Sequence, residues 1–288
     1  AGEIAHGRLL LQEKAKYWTN LHHNLRSFLH PPQPSSSKET TTAPQKLFLL
    51  WTSETDGFMH IYLYEVPPTD AADTTKGEPA KLVHQLTWGD WIVEDIVGVD
   101  PTNGFVYFTG TAHSPLHRQL FAVALWDAPS SDTPQISQLT AQEGMHTISM
   151  SKDCSQFVDS FTSLKRPPCM NLCMIHLASS SSSASSSSKS QSVTATVAAP
   201  LYAKPVPPTA IPEPDIVSFP AADGETTLYG AVFRPDQALF GSGPYKTIVW
   251  VYGGPHVQLV NSSWRLRANN KIRMLRDLGY LVFVCDNR

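Results

Sequence analysis

The chain has 288 residues, 41% of them hydrophobic, and a formal net charge of −3. That length suits two domains with ordinary cores, and the charge offers no basic field of the kind that draws nucleic acid. The longest apolar runs, such as Ile248 to Val251 and Tyr280 to Cys285, fall well short of the roughly 20 residues that a membrane-crossing helix needs, so no membrane segment is read.

The chain opens on Ala1, and its first eleven residues lack the long apolar stretch of a secretory signal. The expectation is a true amino terminus further upstream. Residues 31–44 are rich in Pro, Ser and Thr and residues 179–190 are nearly all Ser; neither can bury enough apolar surface to offset ordering, so both are expected as disordered surface loops.

Between these stretches lie three hairpins: 47–53 with 58–66, 104–110 with 117–125, and 156–161 with 169–177. The first two are followed by a short strand ending in Leu-Thr, at 82–87 and 136–140. A hairpin recurring about every 50 to 60 residues is a propeller-like repeat; similar strands in an ordinary all-β domain are the alternative. A blade needs neighbours on both faces, so further blades are expected before Ala1.

Cys154, Cys169, Cys173 and Cys285 are too few for a disulfide framework, and free thiols in a reducing, cytoplasmic compartment are the reading. Cys169, Cys173 and His176 lie close in sequence but lack a fourth ligand and zinc spacing, so no metal is assigned, nor any cofactor.

Residues 1–200 thus read as a partial β-propeller and the proline-rich 201–214 as an extended linker. From residue 215 the grammar changes. Strands are expected at 215–219, 227–234 and 246–252, with a turn at 222–225, a helix over 264–278 ended by Gly279, and a strand at 280–285. Strand, helix, strand implies a parallel pairing, the start of an α/β domain over 215–288.

In open α/β sheets ligands bind beyond the carboxyl ends of strands, where Tyr252-Gly253-Gly254-Pro255 falls. Glycines there let backbone approach a substrate, and a tyrosine hydroxyl at that edge can donate to an oxygen that gains charge in acyl transfer. A buried tyrosine followed by an ordinary Gly-Gly-Pro turn explains the motif equally well.

The stretches Tyr229-Gly-Ala-Val-Phe-Arg-Pro-Asp236, Gly243 through Gly253-Gly254-Pro255-His256 to Asn261, and Leu278-Gly-Tyr-Leu-Val-Phe-Val-Cys-Asp-Asn-Arg288 resemble the dipeptidyl peptidase IV family of serine peptidases, its 8/9 type in particular. The segments 53–62 and 86–94 resemble the last propeller blades of that family. The resemblance implies release of amino-terminal dipeptides with Pro or Ala second, by a propeller covering an α/β-hydrolase domain, with peptides as substrates and a homodimer of the full-length parent. It identifies Tyr252 as the oxyanion-hole tyrosine. It implies a nucleophile in a Gly-x-Ser-x-Gly elbow downstream, then Asp and His, and paired glutamates upstream of Ala1. No Gly-x-Ser-x-Gly occurs in the 288 residues, so the chain alone is expected to be inactive.

His256 reads as a loop residue. The helix carrying Arg265, Arg267, Lys271, Arg273 and Arg276 reads as a solvated basic face. Asn261-Ser262-Ser263 fits a glycosylation sequon that matters only in a secreted protein. Asp286 and Arg288 are expected to shape the sheet edge and the loop that follows. A catalytically silent propeller module for binding or scaffolding is the competing reading, and a subunit pairing with a full-length peptidase is a third. Cut edges in both domains predict poor folding of the isolated chain.

Overall fold

The computed structural model describes residues 7–15, 18–31, 45–69, 77–127, 135–179, 191–206, 211–254 and 257–287. Apart from Pro31 and Ser179, the two low-complexity stretches lie outside the described residues.

Three four-stranded antiparallel sheets follow one another. The first holds β1 (Leu25–Leu29), β2 (Leu47–Ser53), β3 (His60–Val66) and β4 (Lys81–Gln85). The second holds β5 (Val93–Asp100), β6 (Phe105–Gly110), β7 (Gln119–Ala124) and β8 (Ile136–Gln138), and the third β9 (Met145–Met150), β10 (Gln156–Thr162), β11 (Cys169–Ser179) and β12 (Gln191–Ala203). Each sheet pairs its strands in sequence order, as propeller blades do. The expected hairpins are β2/β3, β6/β7 and β10/β11. Each sheet also has a first strand, β1, β5 or β9, outside the expected hairpins, and the third has β12 at its edge. That strand contains Pro200 and runs to Ala203, so its end enters the stretch read as a linker; an edge position tolerates the missing proline N–H.

The middle sheet shows why blades need neighbours. Along β6, Val106 and Phe108 join the core shared with Leu50, Ile61 and Leu63 of the first sheet. The alternate residues Phe105 and Tyr107 join Phe157, Cys173 and Val193 of the third. With period-2 alternation both faces are therefore apolar, and all six residues of β6 are buried.

The Leu-Thr ending has a repeated job. Leu86 N–H donates to the Ile61 carbonyl at 2.8 Å and Thr87 Oγ1 accepts from Ile61 N–H at 3.0 Å. One sheet later Leu139 N–H donates to the Leu120 carbonyl at 2.8 Å and Thr140 Oγ1 accepts from Leu120 N–H at 3.0 Å. The leucine fills the core while the hydroxyl satisfies a buried donor that the ladder leaves open.

The fourth sheet is mixed. In chain order it brings β13 (Asp215–Pro220), β14 (Thr227–Phe233), a one-turn α1 (Gln237–Phe240), β15 (Thr247–Val251), α2 (Trp264–Arg267), α3 (Asn270–Asp277) and β16 (Leu281–Cys285). The strand order is β13-β14-β16-β15, with β15 and β16 parallel and joined through the helices. The helix expected over 264–278 is instead two. Asn269 Oδ1 accepts from Lys271 N–H at 3.0 Å and Ile272 N–H at 3.2 Å, so its side chain starts a new helix at the point where the first one ends at Ala268. Ala231, Phe233, Val260, Leu266, Ile272, Val282 and Val284 form the core here, and Leu116 and Leu164, from loops of the second and third sheets, pack against it.

Candidate functional site

Parallel pairing sets Val251 opposite Cys285, so the next residues, Tyr252 and Asp286, leave the sheet side by side at its carboxyl edge. Tyr252 is 48% exposed. Gly253 sits at φ +73°, a conformation that a β-carbon disfavours. A β-carbon on Gly254 would lie 2.6 Å from Tyr252 Cε1, so only glycine leaves room for the ring over the backbone. The glycine pair thus shapes the perch of the phenol, a group able to donate one hydrogen bond to an oxygen held beyond the strand end. Pro255, His256 and Arg288 lie outside the described residues.

The chain then returns to the sheet. Asp286 Oδ1 accepts from Leu259 N–H and Oδ2 from Val260 N–H, both at 2.8 Å, and Val260 is fully buried in the core. Asp286 thus shapes the sheet edge, and the backbone it binds there comes from the far side of the Tyr252 loop. The neighbouring Gln258 faces the second sheet. Its Nε2 donates to the Pro115 carbonyl at 2.9 Å and its Oε1 accepts from the Arg118 guanidinium at 2.9 Å. Arg118 Nε lies 2.8 Å from Glu94 Oε2, and Ser262 N–H donates to the Leu116 carbonyl at 2.9 Å. Residues 258–262 are therefore held on one side by Asp286, just past β16, and on the other by a propeller loop. Gln258 and Arg118 carry no local sequence signal, because they stand 140 residues apart.

Residues 2–168 match the family described as the dipeptidyl peptidase IV (DPP IV) N-terminal region. The chain belongs to the dipeptidyl peptidase IV family. It is 29% identical over 295 residues to dipeptidyl peptidase 8 of Homo sapiens, covering 97% of this chain and 30% of that protein. Dipeptidyl peptidase 8 of Mus musculus is 28% identical with the same coverage, and a probable dipeptidyl peptidase 4 of Aspergillus flavus is 23% identical over 82% of this chain and 27% of that protein. The likeness is of the dipeptidyl peptidase 8/9 type, and the chain spans under a third of the length of these relatives.

In this dipeptidyl peptidase IV family chain the basic residues are solvated only in part: Arg265 and Lys271 are exposed and Arg273 is half-buried, as the charge pattern suggests, while Arg267 and Arg276 turn inward. Arg267 donates from Nε to the Ile211 carbonyl at 2.8 Å and from one terminal nitrogen to the Leu164 carbonyl at 2.7 Å, with its guanidinium 5.1 Å from the Trp264 ring centroid. Arg276 is buried and donates to the Arg234 carbonyl at 2.6 Å. Loop carbonyls and the one just past the end of β14 supply the acceptors, so these side chains turn inward. The sequon is half-buried at Asn261, and Ser263 caps α2 by accepting from Leu266 N–H at 3.2 Å.

All four cysteines are free. Burial pushes the Cys173 thiol up to about 11, the opposite of what a metal ligand or nucleophile needs. His176 Nε2 lies 2.7 Å from Thr196 Oγ1, and no group of three His, Cys, Asp or Glu side chains among the described residues is placed to hold a metal. The buried His146 pairs with Asp159 at 2.9 Å inside the third sheet. No helix among the described residues is long and apolar enough to cross a membrane.

Proposed function

We propose that this chain forms the closing propeller blades and the oxyanion edge of a serine-type dipeptidyl peptidase, one that releases amino-terminal dipeptides with Pro or Ala in the second position. The observation that carries the reading is the half-exposed Tyr252 phenol at the carboxyl end of a strand in a parallel pair, perched on a glycine pair. On this reading the propeller runs to the end of β12 at Ala203, the linker follows as far as residue 214, and 215–288 are the first part of an α/β-hydrolase domain, with β15, α2, α3 and β16 as its first βαβ unit.

When a nucleophile attacks the scissile carbonyl, charge develops on the carbonyl oxygen. Tyr252 donates its hydroxyl proton to that oxygen in a hydrogen bond that strengthens in the transition state. One such donor is worth about 2.7 to 4 kcal/mol, which assists a nucleophile without replacing one. The Gly-x-Ser-x-Gly elbow, Asp and His come on this reading from residues outside these 288, and the full-length parent pairs with itself. The test is hydrolysis of a Gly-Pro anilide: the protein that contains this chain together with a serine elbow releases the dipeptide, and the 288 residues alone do not. Release by the isolated chain, or none by the complete protein, sinks the reading.

A further inference from the structure

Tyr252 and Asp286 leave neighbouring parallel strands at the same level, yet the two side chains face different tasks. Asp286 presents both carboxylate oxygens to consecutive backbone donors, Leu259 N–H and Val260 N–H, at 2.8 Å each. Six residues separate Tyr252 from Leu259, and both of these stand at the same sheet edge, Tyr252 just past β15 and Leu259 bonded to Asp286 just past β16. The carboxylate is thus the point at which the excursion carrying the phenol closes. Bonds of this kind, from neutral N–H to a charged oxygen, are the strong ones. The next backbone unit is fixed as well, because Val260 is fully buried and its carbonyl accepts from Gln258 Nε2 at 3.0 Å.

A six-residue segment with a glycine pair has wide conformational freedom unless both ends are held. On the Tyr252 side the hold is β15. On the return side it is Asp286, reinforced by Gln258, which is tied to Arg118 and Pro115 of the second sheet. With its oxygens engaged by Leu259 and Val260, Asp286 is committed to backbone rather than aimed outward at a reacting atom.

We infer that Asp286 is a positioning residue for the oxyanion donor: its carboxylate clasps the segment after Tyr252 and sets where the phenol stands. The inference rests on the oxyanion reading of Tyr252 given above. Replacing Asp286 by Asn keeps the size but turns one acceptor into an NH2 group, which meets a backbone donor and leaves it unpaired. A displacement of about 1 Å at a reacting group can cost up to 10²-fold in rate.

The experiment is a double-mutant cycle in the full-length peptidase that contains these residues, with a Gly-Pro anilide as substrate. Asp286→Asn is expected to lower kcat by about tenfold or more while KM moves by less than about threefold, and to lower kcat by less than about twofold further once Tyr252→Phe is present. If the two losses multiply, or if KM carries the effect, the positioning role is overturned while the oxyanion reading stands. If Tyr252→Phe leaves kcat unchanged, the oxyanion reading itself fails and the inference with it. A measurement that needs no variant guards against misfolding: hydrogen exchange at the Leu259 and Val260 amides of the unmutated protein is expected to be at least about 100-fold slower than in an open chain. Exchange at open-chain rates overturns the clasp.

Discussion

Replacing Arg267 by Ala is expected to loosen the packing of α2 against the third propeller sheet. The guanidinium serves two backbone carbonyls, of Ile211 and Leu164, and its side chain is only 16% exposed. Each bond from a charged donor is worth about 1.5 to 3 kcal/mol, and the two share one cation, so they do not add in full. Stacking on Trp264 adds about 0.5 to 1 kcal/mol. The contact with Glu213, at 3.7 Å, contributes little because that carboxylate is 38% exposed. Releasing the ordered side chain returns roughly 1.5 to 2 kcal/mol of entropy. The net loss is about 3 kcal/mol, and Arg267→Lys, which keeps the charge but not the planar fork, is expected to recover about half of it. Guanidinium unfolding followed by tryptophan fluorescence reads this directly, since Trp264 lies under the cation. A loss below about 0.5 kcal/mol for Arg267→Ala would return the residue to the solvated face its neighbours suggest and refute the reasoning.

Thr87→Val and Thr140→Val each strand a buried backbone donor, of Ile61 and Leu120; each is expected to cost about 1 to 3 kcal/mol in denaturant unfolding, with the pair close to additive. Burial pushes the Cys154 and Cys173 thiols up to about 11, so at pH 8 both should resist alkylation in the folded protein and label fully in denaturant, as mass spectrometry would report; fast native labelling would contradict their burial. Burial also holds His60, His84 and His117 below their ordinary value. The unfolded chain then binds protons first, so their stabilisation is complete above about pH 6.5 and declines as pH falls below it. His60→Gln should flatten part of that decline in unfolding midpoints measured from pH 7.5 to 5, and an unchanged slope would exclude His60 as a contributor.

The central hairpins were legible because strands such as β6 are buried on both faces and therefore read as unbroken apolar runs. Their outer companions were not. In β5, Glu94, Asp95 and Gly98 interrupt the apolar pattern, and β12 spells Thr, Ala and Pro, which resembles a linker until its pairing with β11 is seen. The Tyr252 loop announced itself through Gly253 and Gly254, whose need is local. The clasp left no such trace, since Asp286 binds backbone N–H groups that any residues at 259 and 260 would supply. The same holds for Arg267 and Arg276, whose acceptors are carbonyls distant in sequence. One helix became two because a single side chain, Asn269, outcompeted the helical ladder.

The most direct test of the account is the rate of Tyr252→Phe in the complete peptidase, a change that removes one oxygen and leaves the ring on Gly254. A fall in kcat of about 10² to 10³ with KM little altered is the predicted result, the loss of one donor at the oxyanion. An unchanged kcat would contradict it and make Tyr252 no more than a strand-end residue.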